Sequence, residues 1–367
     1  MSDGAENHRS TISEVARQAG VSPATVSNVF SGKGRVHPVL RERVLAVARE
    51  LAYQPHPLAQ ALRTGRNRTI GFAVAFISNP TVPAILQSAS RAAHEAGYNL
   101  LICVTEYDPA LERAQLEALA RQRVAVVMAF HAGDDPEPYL LAQRAGVQVL
   151  FVGHRPAGVE ADLVLYGHRA TMREAVAHLL AGGRRRVALL LNSPTNSNNE
   201  RRMAGYADAY AEAGLQAPPG LVVTGVYTEE ATVAAIDALL ARSEPPDAII
   251  AGVGLLVRWA LARLRERGIA IPEQMAFVGS GDRQWGRLME PPLSMIEIDG
   301  QGVGRRLVEI MLERLQGGDA LPPVREIELP SRFVVRASSG GVVQRFRGRQ
   351  LGSPSLSGKA EINGSSL

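Results

Sequence analysis

The 367-residue sequence is almost without cysteine and contains no long apolar run. Its single cysteine, Cys103, excludes an internal disulfide and any metal site built from several cysteines. Cys103 lies in the apolar segment 100–104, which is typical of a small hydrophobic residue in a buried strand and not of a nucleophile. Because no stretch approaches about 18 consecutive apolar residues, the sequence predicts no transmembrane helix. Residues 1–8 are polar and lack the apolar core of a signal peptide, so we expect a cytoplasmic protein.

The sequence also lacks the motifs of common catalytic and cofactor sites. The segment 252–254, Gly-Val-Gly, has no third glycine to complete a dinucleotide fingerprint. The segment 279–281, Gly-Ser-Gly, is not the five-residue nucleophile elbow of a hydrolase. The eight histidines are scattered without the spacing of metal ligands. We therefore expect no enzyme, no cofactor and no metal site.

Acidic residues are few in the N-terminal segment, although the net charge of the whole chain is only +4. Residues 1–68 contain ten basic and five acidic residues. Residues 339–367 contain four basic residues and one acidic residue, which leaves a net charge of −4 for residues 69–338. A basic N-terminal segment on an acidic body favours a polyanion as the partner of that segment.

The segment 11–53 predicts three short helices, of which the first two form a helix-turn-helix. Thr11 and Glu14 have the spacing of a capping box, in which the two side chains bond to each other's backbone amides. Gly20 is expected to end the first helix in a left-handed conformation. Ser22 then caps a second helix whose first position is Pro23. The third helix is expected over residues 38–52.

The second of these helices has an apolar face and a slim polar face. Val26, Val29 and Phe30 are spaced to contact a core. The residues expected to face outward are small and able to form hydrogen bonds, as a helix that enters a major groove requires; they are Pro23, Ala24, Thr25, Ser27 and Asn28. A three-helix bundle without a DNA role is the alternative for this segment considered by itself.

Two segments make the prediction specific. Residues 11–29, TISEVARQAGVSPATVSNV, resemble the DNA-binding signature of the lactose-repressor/galactose-repressor family. Residues 53–65, YQPHPLAQALRTG, look like the hinge of the same family. The resemblance implies a bacterial transcriptional regulator whose hinge, residues 57–64, folds when two protomers pair over the minor groove of an operator. Leu62 would be the family's leucine wedge, inserted at the central base step to kink the DNA, with Ala59 packed beside it.

The resemblance also assigns roles to individual positions of the DNA-binding segment. Pro23, Ala24 and Asn28 occupy the main base-reading positions, and Asn28 departs from the arginine that is common there. Since asparagine pairs with adenine and arginine prefers guanine, we expect an operator that differs at that base pair. Thr25, Ser27 and Arg35 are assigned to phosphates. The full set of expected DNA contacts is Thr11, Ser22, Pro23, Ala24, Thr25, Ser27, Asn28, Arg35, Tyr53, Ala59 and Leu62.

From residue 69 onward, short apolar runs alternate with amphipathic stretches in two successive series, which predicts two doubly wound α/β lobes. This region resembles the same family's effector domain, which is itself similar to periplasmic sugar-binding proteins. The predicted fold is an N-terminal all-α helix-turn-helix headpiece plus an α/β two-lobed periplasmic-binding-protein-like effector domain. The expected division is a disordered N-terminus (1–10), the headpiece (11–53), a hinge helix and linker (54–68), the effector-binding and dimerisation domain (69–338) and a disordered basic tail (339–367). Lobe 1 would contain residues 69–164 and 297–326, and lobe 2 residues 165–296 and 327–338.

The ligand site is where the sequence departs from the family pattern. Arg202 occupies the position of the ligand-gripping arginine, and Tyr227 that of an aromatic residue that stacks on the ligand. Acidic and amide positions that bind sugar hydroxyls are replaced, by Val253 in one strand-end motif and by Gly153 in another. The expected effector-binding set is Asn79, Arg155, His168, Arg202, Tyr227, Val253 and Asp282.

Without those carboxylates, and with Arg155, His154, His168 and Arg169 near Arg202, the site favours an anionic effector. Residues 281–291, GDRQWGRLMEP, also look like the gluconate-repressor branch of the family. We therefore expect a sugar acid such as gluconate; an apolar or aromatic ligand, or a degenerate pocket with no effector, stays open.

The expected assembly is a homodimer, or a tetramer, on a pseudopalindromic double-stranded operator, with no membrane partner. A repressor is favoured over an activator. A periplasmic binding protein, the alternative on the same two-lobed fold, would need a signal peptide and would not contain the helices of segment 11–53.

Overall fold

A computed structural model describes residues 11–31, 36–53, 67–77, 81–131, 135–194, 196–281, 286–316 and 323–340. The hinge segment 54–66 lies outside these ranges, as do the expected disordered N-terminus and almost all of the expected basic tail. Five predicted site residues therefore lie outside the described residues, namely Arg35, Ala59, Leu62, Asn79 and Asp282.

The N-terminal headpiece consists of three helices, α1 (Ile12–Ala19), α2 (Pro23–Ser31) and α3 (Pro38–Glu50). The amide of Glu14 donates to Thr11 Oγ1 at 3.3 Å, and Gly20 ends α1 with a φ of +63°, as predicted. The second contact of the predicted capping box, from Glu14 back to Thr11, is wrong, because the Glu14 carboxylate pairs with Arg17 at 2.8 Å instead. A small apolar core from all three helices holds the unit together; its buried residues are Val15, Ala16, Ala19, Val26, Val29, Val44 and Ala48.

The first lobe is built on a six-stranded parallel sheet in the order β11-β5-β4-β3-β1-β2. Its inner strands β1, β3, β4 and β5 are almost entirely buried, as expected of a parallel sheet that is covered on both faces. One face packs against α4 and α11, and the other against α5 and α6. The elements are β1 (Thr69–Val74), α4 (Val82–Glu95), β2 (Asn99–Val104), α5 (Pro109–Arg121), β3 (Val126–Ala129), α6 (Glu137–Arg144), β4 (Gln148–Val152), β5 (Asp162–Tyr166), α11 (Gly300–Gln316) and β11 (Glu326–Leu329).

The second lobe repeats the arrangement with the order β12-β10-β9-β8-β6-β7, and only the β10–β12 pair is antiparallel. Helices α7 and α8 cover one face of this sheet, and α9 and α10 cover the other. The elements are α7 (His168–Ala181), β6 (Val187–Leu190), α8 (Ser197–Glu212), β7 (Val222–Val223), α9 (Glu229–Leu240), β8 (Ala248–Ala251), α10 (Gly254–Glu266), β9 (Ala276–Gly281), β10 (Ser294–Ile298) and β12 (Ser331–Val334).

The chain crosses between the lobes at three places, each a few residues from the expected boundary. Strand β5 belongs to the first sheet through Tyr166, so the first crossing follows that residue and does not precede residue 165. Strand β10 stays in the second sheet through Ile298. Strand β11 pairs with β5 as far as Leu329, which moves the end of lobe 1 from residue 326 to 329. Register with neighbouring strands sets these ends, and apolar patterning does not show it.

The second lobe ends in a short 3₁₀ turn, Ala337–Ser339, where the sequence predicts the start of a disordered tail. Ser339 is only 6% exposed, and its hydroxyl lies 2.6 Å from Ser294 Oγ and 2.9 Å from His178 Nε2. The expected boundary at residue 338 is therefore wrong by at least one residue, because these hydrogen bonds hold Ser339 in the lobe. Within the described ranges, no helix has the length and apolarity to cross a membrane.

Candidate functional site

The topology of both sheets creates a crevice at the carboxyl ends of their central strands. In the first sheet, neighbouring strands β1 and β3 lead into α4 and α6, which pack on opposite faces. In the second sheet, β6 and β8 lead into α8 and α10, which are also on opposite faces. Connections that diverge in this way leave a crevice at the switch point, which is where ligands bind in open α/β sheets.

A cavity of about 120 Å³ lies where these two crevices face each other, and both lobes and two of the crossings contribute to its lining. Its described lining contains histidine, amide, hydroxyl and aromatic side chains with one arginine, and no aspartate or glutamate. The polar and aromatic residues of the lining are Phe76, Thr81, Tyr107, Phe130, His131, Tyr166, His168, Asn192, Asn196, Asn198, Asn199, Arg202 and Ser280.

Arg202 is the cation of this cavity. It lies on α8, is 8% exposed, and donates to Asn199 Oδ1 at 2.7 Å and to His168 Nε2 at 2.8 Å. Among the described residues it forms no ion pair with a carboxylate. Removal from water lowers the pKa of Arg202 to about 10, so the group stays charged at neutral pH. A buried positive charge without a counter-charge is costly, and an anion in the cavity would neutralise it.

His168, at the first crossing, is neutral and orients Arg202. Burial, followed by the nearby charge of Arg202, lowers the pKa of His168 well below its usual value. Because a guanidinium can only donate, His168 Nε2 must accept, and the proton of the ring is on Nδ1. His168 Nδ1 and the neighbouring Tyr166 hydroxyl are both buried without a hydrogen-bond partner among the described residues.

The predicted effector residues separate into two groups. Arg202, His168 and Val253 line the cavity. Arg155 does not, because its guanidinium donates to the Ala161 carbonyl oxygen at 2.7 Å. Tyr227 is 40% exposed, and its ring packs edge-on against Tyr107, with centroids 5.7 Å apart.

Two further expectations about positive charge near the ligand are corrected by the structure. Arg169 points away and forms a two-point ion pair with Asp208 on α8, at 2.6 and 3.0 Å. His154 lies at the cleft, where its Nδ1 is 3.0 Å from Ser197 Oγ. Of the three expected arginines, only Arg202 lines the described part of the cavity.

Gly153, where the family resemblance places an acidic residue, leaves space for a side chain from the other lobe. It has a φ of +88°, and a Cβ there would lie 2.4 Å from Asn198 Nδ2. Asn198 thus occupies the space that a side chain at residue 153 would enter, and its Oδ1 is buried without a described partner. A carboxamide oxygen accepts hydrogen bonds as a carboxylate does, but it adds no negative charge to the cavity.

The cavity also contains residues that sequence reasoning missed, above all Tyr107 and His131. Tyr107 follows β2 with a φ of +56°, and its hydroxyl accepts from Asn192 Nδ2 of the second lobe at 3.1 Å. His131 lies directly beyond β3, at the switch point. The position of each after a predicted strand was the available signal, but identification needed the strand order.

The candidate DNA-binding surface is the outer side of α2. Pro23, Ala24 and Asn28 are exposed there, as an interface requires. Ser22 caps the helix by accepting from the Thr25 amide at 3.1 Å. Thr11 and Ser22 lie at the N-termini of α1 and α2, and Tyr53 packs edge-on against Phe30 with ring centroids 5.7 Å apart.

Ser27 was expected to face outward with those residues, and that expectation is wrong. Its exposed fraction is 4%. Helix α2 packs against both α1 and α3, which widens its buried arc beyond Val26 and Val29. Ser27 is therefore not placed to contact a phosphate unless α2 repacks.

Comparisons with known proteins agree with this architecture. The lacI family of bacterial regulatory proteins matches residues 11–56, and a periplasmic binding protein-like domain matches residues 176–339. The transcriptional regulator PtxS of Pseudomonas plecoglossicida is 32% identical over 339 residues, which cover 90% of this chain and 96% of PtxS.

Two solved structures extend the comparison. A complex of the transcriptional regulator CelR with cellobiose is 29% identical and has a TM-score of 0.66, covering 90% of this chain and all of that one. The lac repressor dimer bound to operator and an anti-inducer has a TM-score of 0.77 at 23% identity, covering 90% and 99% of the two chains. These matches confirm the predicted headpiece and two-lobed periplasmic-binding-protein-like domain.

Proposed function

The chain belongs to the lacI family of bacterial regulatory proteins, and from this premise we propose that it is an operator-binding repressor controlled by a small anionic effector in the interlobe cavity. As predicted from the sequence, its relatives are transcriptional regulators and not enzymes. A monocarboxylate is the favoured effector, and a sugar acid such as gluconate is the leading candidate.

The single observation that supports an anion is the environment of Arg202. The guanidinium is buried, it has two neutral hydrogen-bond partners, and no carboxylate is present in the described lining of the cavity. A carboxylate can accept two parallel hydrogen bonds from a guanidinium and neutralise its charge in one contact. The same lining disfavours a neutral sugar as the best ligand, because a neutral sugar would leave the buried charge uncompensated.

The structure also limits the charge of the proposed effector. Arg155 and Arg169 are engaged outside the cavity, and His168 is neutral. Among the described residues, Arg202 is the one arginine that lines the cavity, and a single guanidinium favours a single carboxylate over a phosphate ester or a dicarboxylate. The cavity is also rich in amide and hydroxyl groups, which suit the hydroxyls of a sugar acid better than a purely apolar ligand.

Calorimetric titration of the full-length protein with gluconate and other aldonates tests this proposal. The wild-type protein should bind one of them, and Arg202→Met should lose that binding. Arg173→Met, which removes an arginine from an exposed ion pair with Glu212, serves as the control and should bind normally. Binding only of uncharged or aromatic ligands, or equal binding by Arg202→Met, would exclude the anionic effector.

The proposed DNA-binding role depends on the exposed face of α2. We propose that Pro23, Ala24 and Asn28 contact base edges while Thr25 contacts phosphate, with two protomers on one pseudopalindromic site. The hinge contacts assigned to Ala59 and Leu62 stay predictions from the sequence.

Operator selection from a random DNA library tests the role of Asn28. Asn28→Arg should change the preferred base at one position in each half-site from adenine toward guanine, because arginine bonds both acceptors of guanine. Asn99→Arg, which adds the same charge at the exposed start of β2, should leave the selected sequence unchanged. An identical selected sequence for Asn28→Arg would assign Asn28 to the phosphate backbone instead.

Coupling between the two sites would use the contacts that close the cleft. Arg201 on α8 pairs with Glu328 of β11 at 2.5 Å, and Tyr107 bonds to Asn192. An effector that binds the closed cleft more tightly than the open one shifts the lobes, and the free energy of operator binding can change by at most that difference in effector-binding free energy. Fluorescence anisotropy with a selected operator, with and without the aldonate, measures the coupling and its sign.

A further inference from the structure

A buried polar cluster lies behind one wall of the cavity, in the first lobe and apart from Arg202. It joins His131, which follows β3, to Glu112 on α5 and Tyr139 on α6. His131 Nδ1 is 2.8 Å from Glu112 Oε1, and the Tyr139 hydroxyl donates to the same carboxylate oxygen. The side chains of His131 and Glu112 are 2% and 4% exposed.

Packing fixes the orientation of the His131 ring. It lies edge-on to Tyr139 and Phe151, with centroids 5.1 and 6.1 Å apart, and nearly parallel to His154 at 5.8 Å. Burial, and then the charge of Glu112, raise the pKa of Tyr139 well above its usual value, so its hydroxyl remains a donor. One carboxylate and three aromatic neighbours thus position the ring. Burying these polar groups costs desolvation free energy, and the apolar core of the lobe does not need them for its packing.

The second ring nitrogen of His131, Nε2, is not used by this cluster. Nε2 is buried without a hydrogen-bond partner among the described residues, and His131 lines the cavity. Since Tyr139 already donates to Glu112 Oε1, the carboxylate also accepts the Nδ1 proton of His131, and Nε2 is the ring atom left to bond a group in the cavity. A buried polar atom without a hydrogen-bond partner lowers the stability of the protein. A ligand group that bonds to Nε2 from the cavity would recover that free energy.

We infer that His131 is a specificity-determining residue whose Nε2 accepts a hydrogen bond from a hydroxyl of the effector while Arg202 binds the effector's carboxylate. The inference rests on the proposed anionic effector and narrows it to a hydroxy acid. A carboxylate at neutral pH offers only acceptors, so it cannot occupy both positions. The two anchors come from different lobes, His131 from the first and Arg202 from the second, so a ligand that bridges them favours the closed cleft.

Two conservative variants separate contact with the ligand from support of the fold. His131→Asn keeps an amide nitrogen near the position of Nδ1, where it can still donate to Glu112, but has nothing at the position of Nε2. His131→Gln instead places its terminal amide near the position of Nε2. A residue that only supports the lobe would tolerate Asn at least as well as Gln.

The probe is gluconate, titrated by calorimetry into the full-length protein, with hexanoate as an acid of the same chain length without hydroxyls. His131→Asn should weaken gluconate binding about 10- to 100-fold, the equivalent of one lost hydrogen bond to a buried group. His131→Gln should stay within about threefold of the wild type. Hexanoate binding should be the same in all three proteins. Equal losses for both acids in His131→Asn, or equal losses in the Asn and Gln variants, would overturn the inference.

A third ligand, the uncharged amide of gluconate, distinguishes failure of this inference from failure of the proposed effector class. If gluconate binds and His131→Asn has no effect, the role of His131 is refuted and the anionic effector stands. If only the amide binds, and His131→Asn weakens it, the carboxylate at Arg202 is refuted and the hydroxyl contact stands. Failure of the wild-type protein to bind any of the three refutes the inference.

Discussion

Replacement of Arg202 by methionine should leave the stability of the effector-free protein nearly unchanged, although the arginine is buried and hydrogen-bonded. Methionine has similar length, suits an irregular cavity and has no charge. The expectation follows from the environment of Arg202, whose two described partners, Asn199 and His168, are both neutral.

The magnitude can be worked from the pKa of the guanidinium. Desolvation lowers that pKa to about 10 in the folded protein. Because the folded-state value lies below the unfolded one, keeping the proton costs free energy at every pH below about 10. At about 1.4 kcal/mol per pH unit, the cost is about 3 kcal/mol at neutral pH. The methionine variant avoids this cost but leaves the acceptors of the buried residues Asn199 and His168 unpaired, at roughly 1–2 kcal/mol each, so the net change should lie within about 1 kcal/mol of zero.

Differential scanning calorimetry of the effector-free protein is the assay. A net change of no more than about 1 kcal/mol should shift the Tm by no more than about 2–4 °C for a domain of this size. Arg173→Met should change the Tm by less than about 2 °C, because an exposed ion pair contributes little. A Tm for Arg202→Met that falls by 5 °C or more would refute the reasoning, since it would show that the charge is compensated in the free protein.

Two further substitutions test the packing that supports the site. Gly304→Ala on α11 should lower the free energy of unfolding by about 1–3 kcal/mol in a denaturant titration, because its Cβ would lie 2.4 Å from a backbone oxygen of α4. Gly302→Ala on the same helix meets only the flexible side chain of Asp299 and should be neutral or stabilising, so equal losses would contradict this argument. Asp162→Asn should lower the free energy of unfolding by about 3–5 kcal/mol at pH 7, because it removes the carboxylate that pairs with Arg314 and Arg325. Burial raises the pKa of the Asp162 carboxyl, but the hydrogen bonds from these two arginines outweigh that effect and lower it. The difference in unfolding free energy between this variant and the wild type should shrink as the pH falls below 3.8, because the carboxyl of the wild type becomes protonated. A constant difference down to about pH 2 would show that the ion pairs do not account for the loss.

Local chemistry made much of the fold predictable. Gly20 ends α1 because a left-handed residue is needed there, and Pro23 begins α2 because its missing amide proton is not needed at that position. The alternation of apolar runs and amphipathic stretches predicted two doubly wound lobes, because a strand that helices cover on both faces must be apolar throughout. These features depend on residues within a few positions of each other.

The candidate site was only partly predictable. Arg202, His168 and Val253, which the sequence predicts to bind the effector, all line the cavity. Arg155 and Tyr227 were misplaced, because proximity in sequence does not show which way a side chain turns after a strand end. The Arg155 guanidinium donates to the Ala161 carbonyl oxygen, and the Tyr227 ring packs against Tyr107, which itself lines the cavity.

The sequence by itself determined the helix-turn-helix, the two-lobed class and the absence of the family's acidic and amide side chains at Gly153 and Val253. Only the tertiary structure decided which polar groups meet at the cavity and which of them remain unpaired. His131 shows the reason, since its orientation depends on Glu112 and Tyr139, which come from two helices on either side of β3 in the chain. Whether a buried group is satisfied depends on neighbours that folding brings together, and no local pattern in the sequence contains that information.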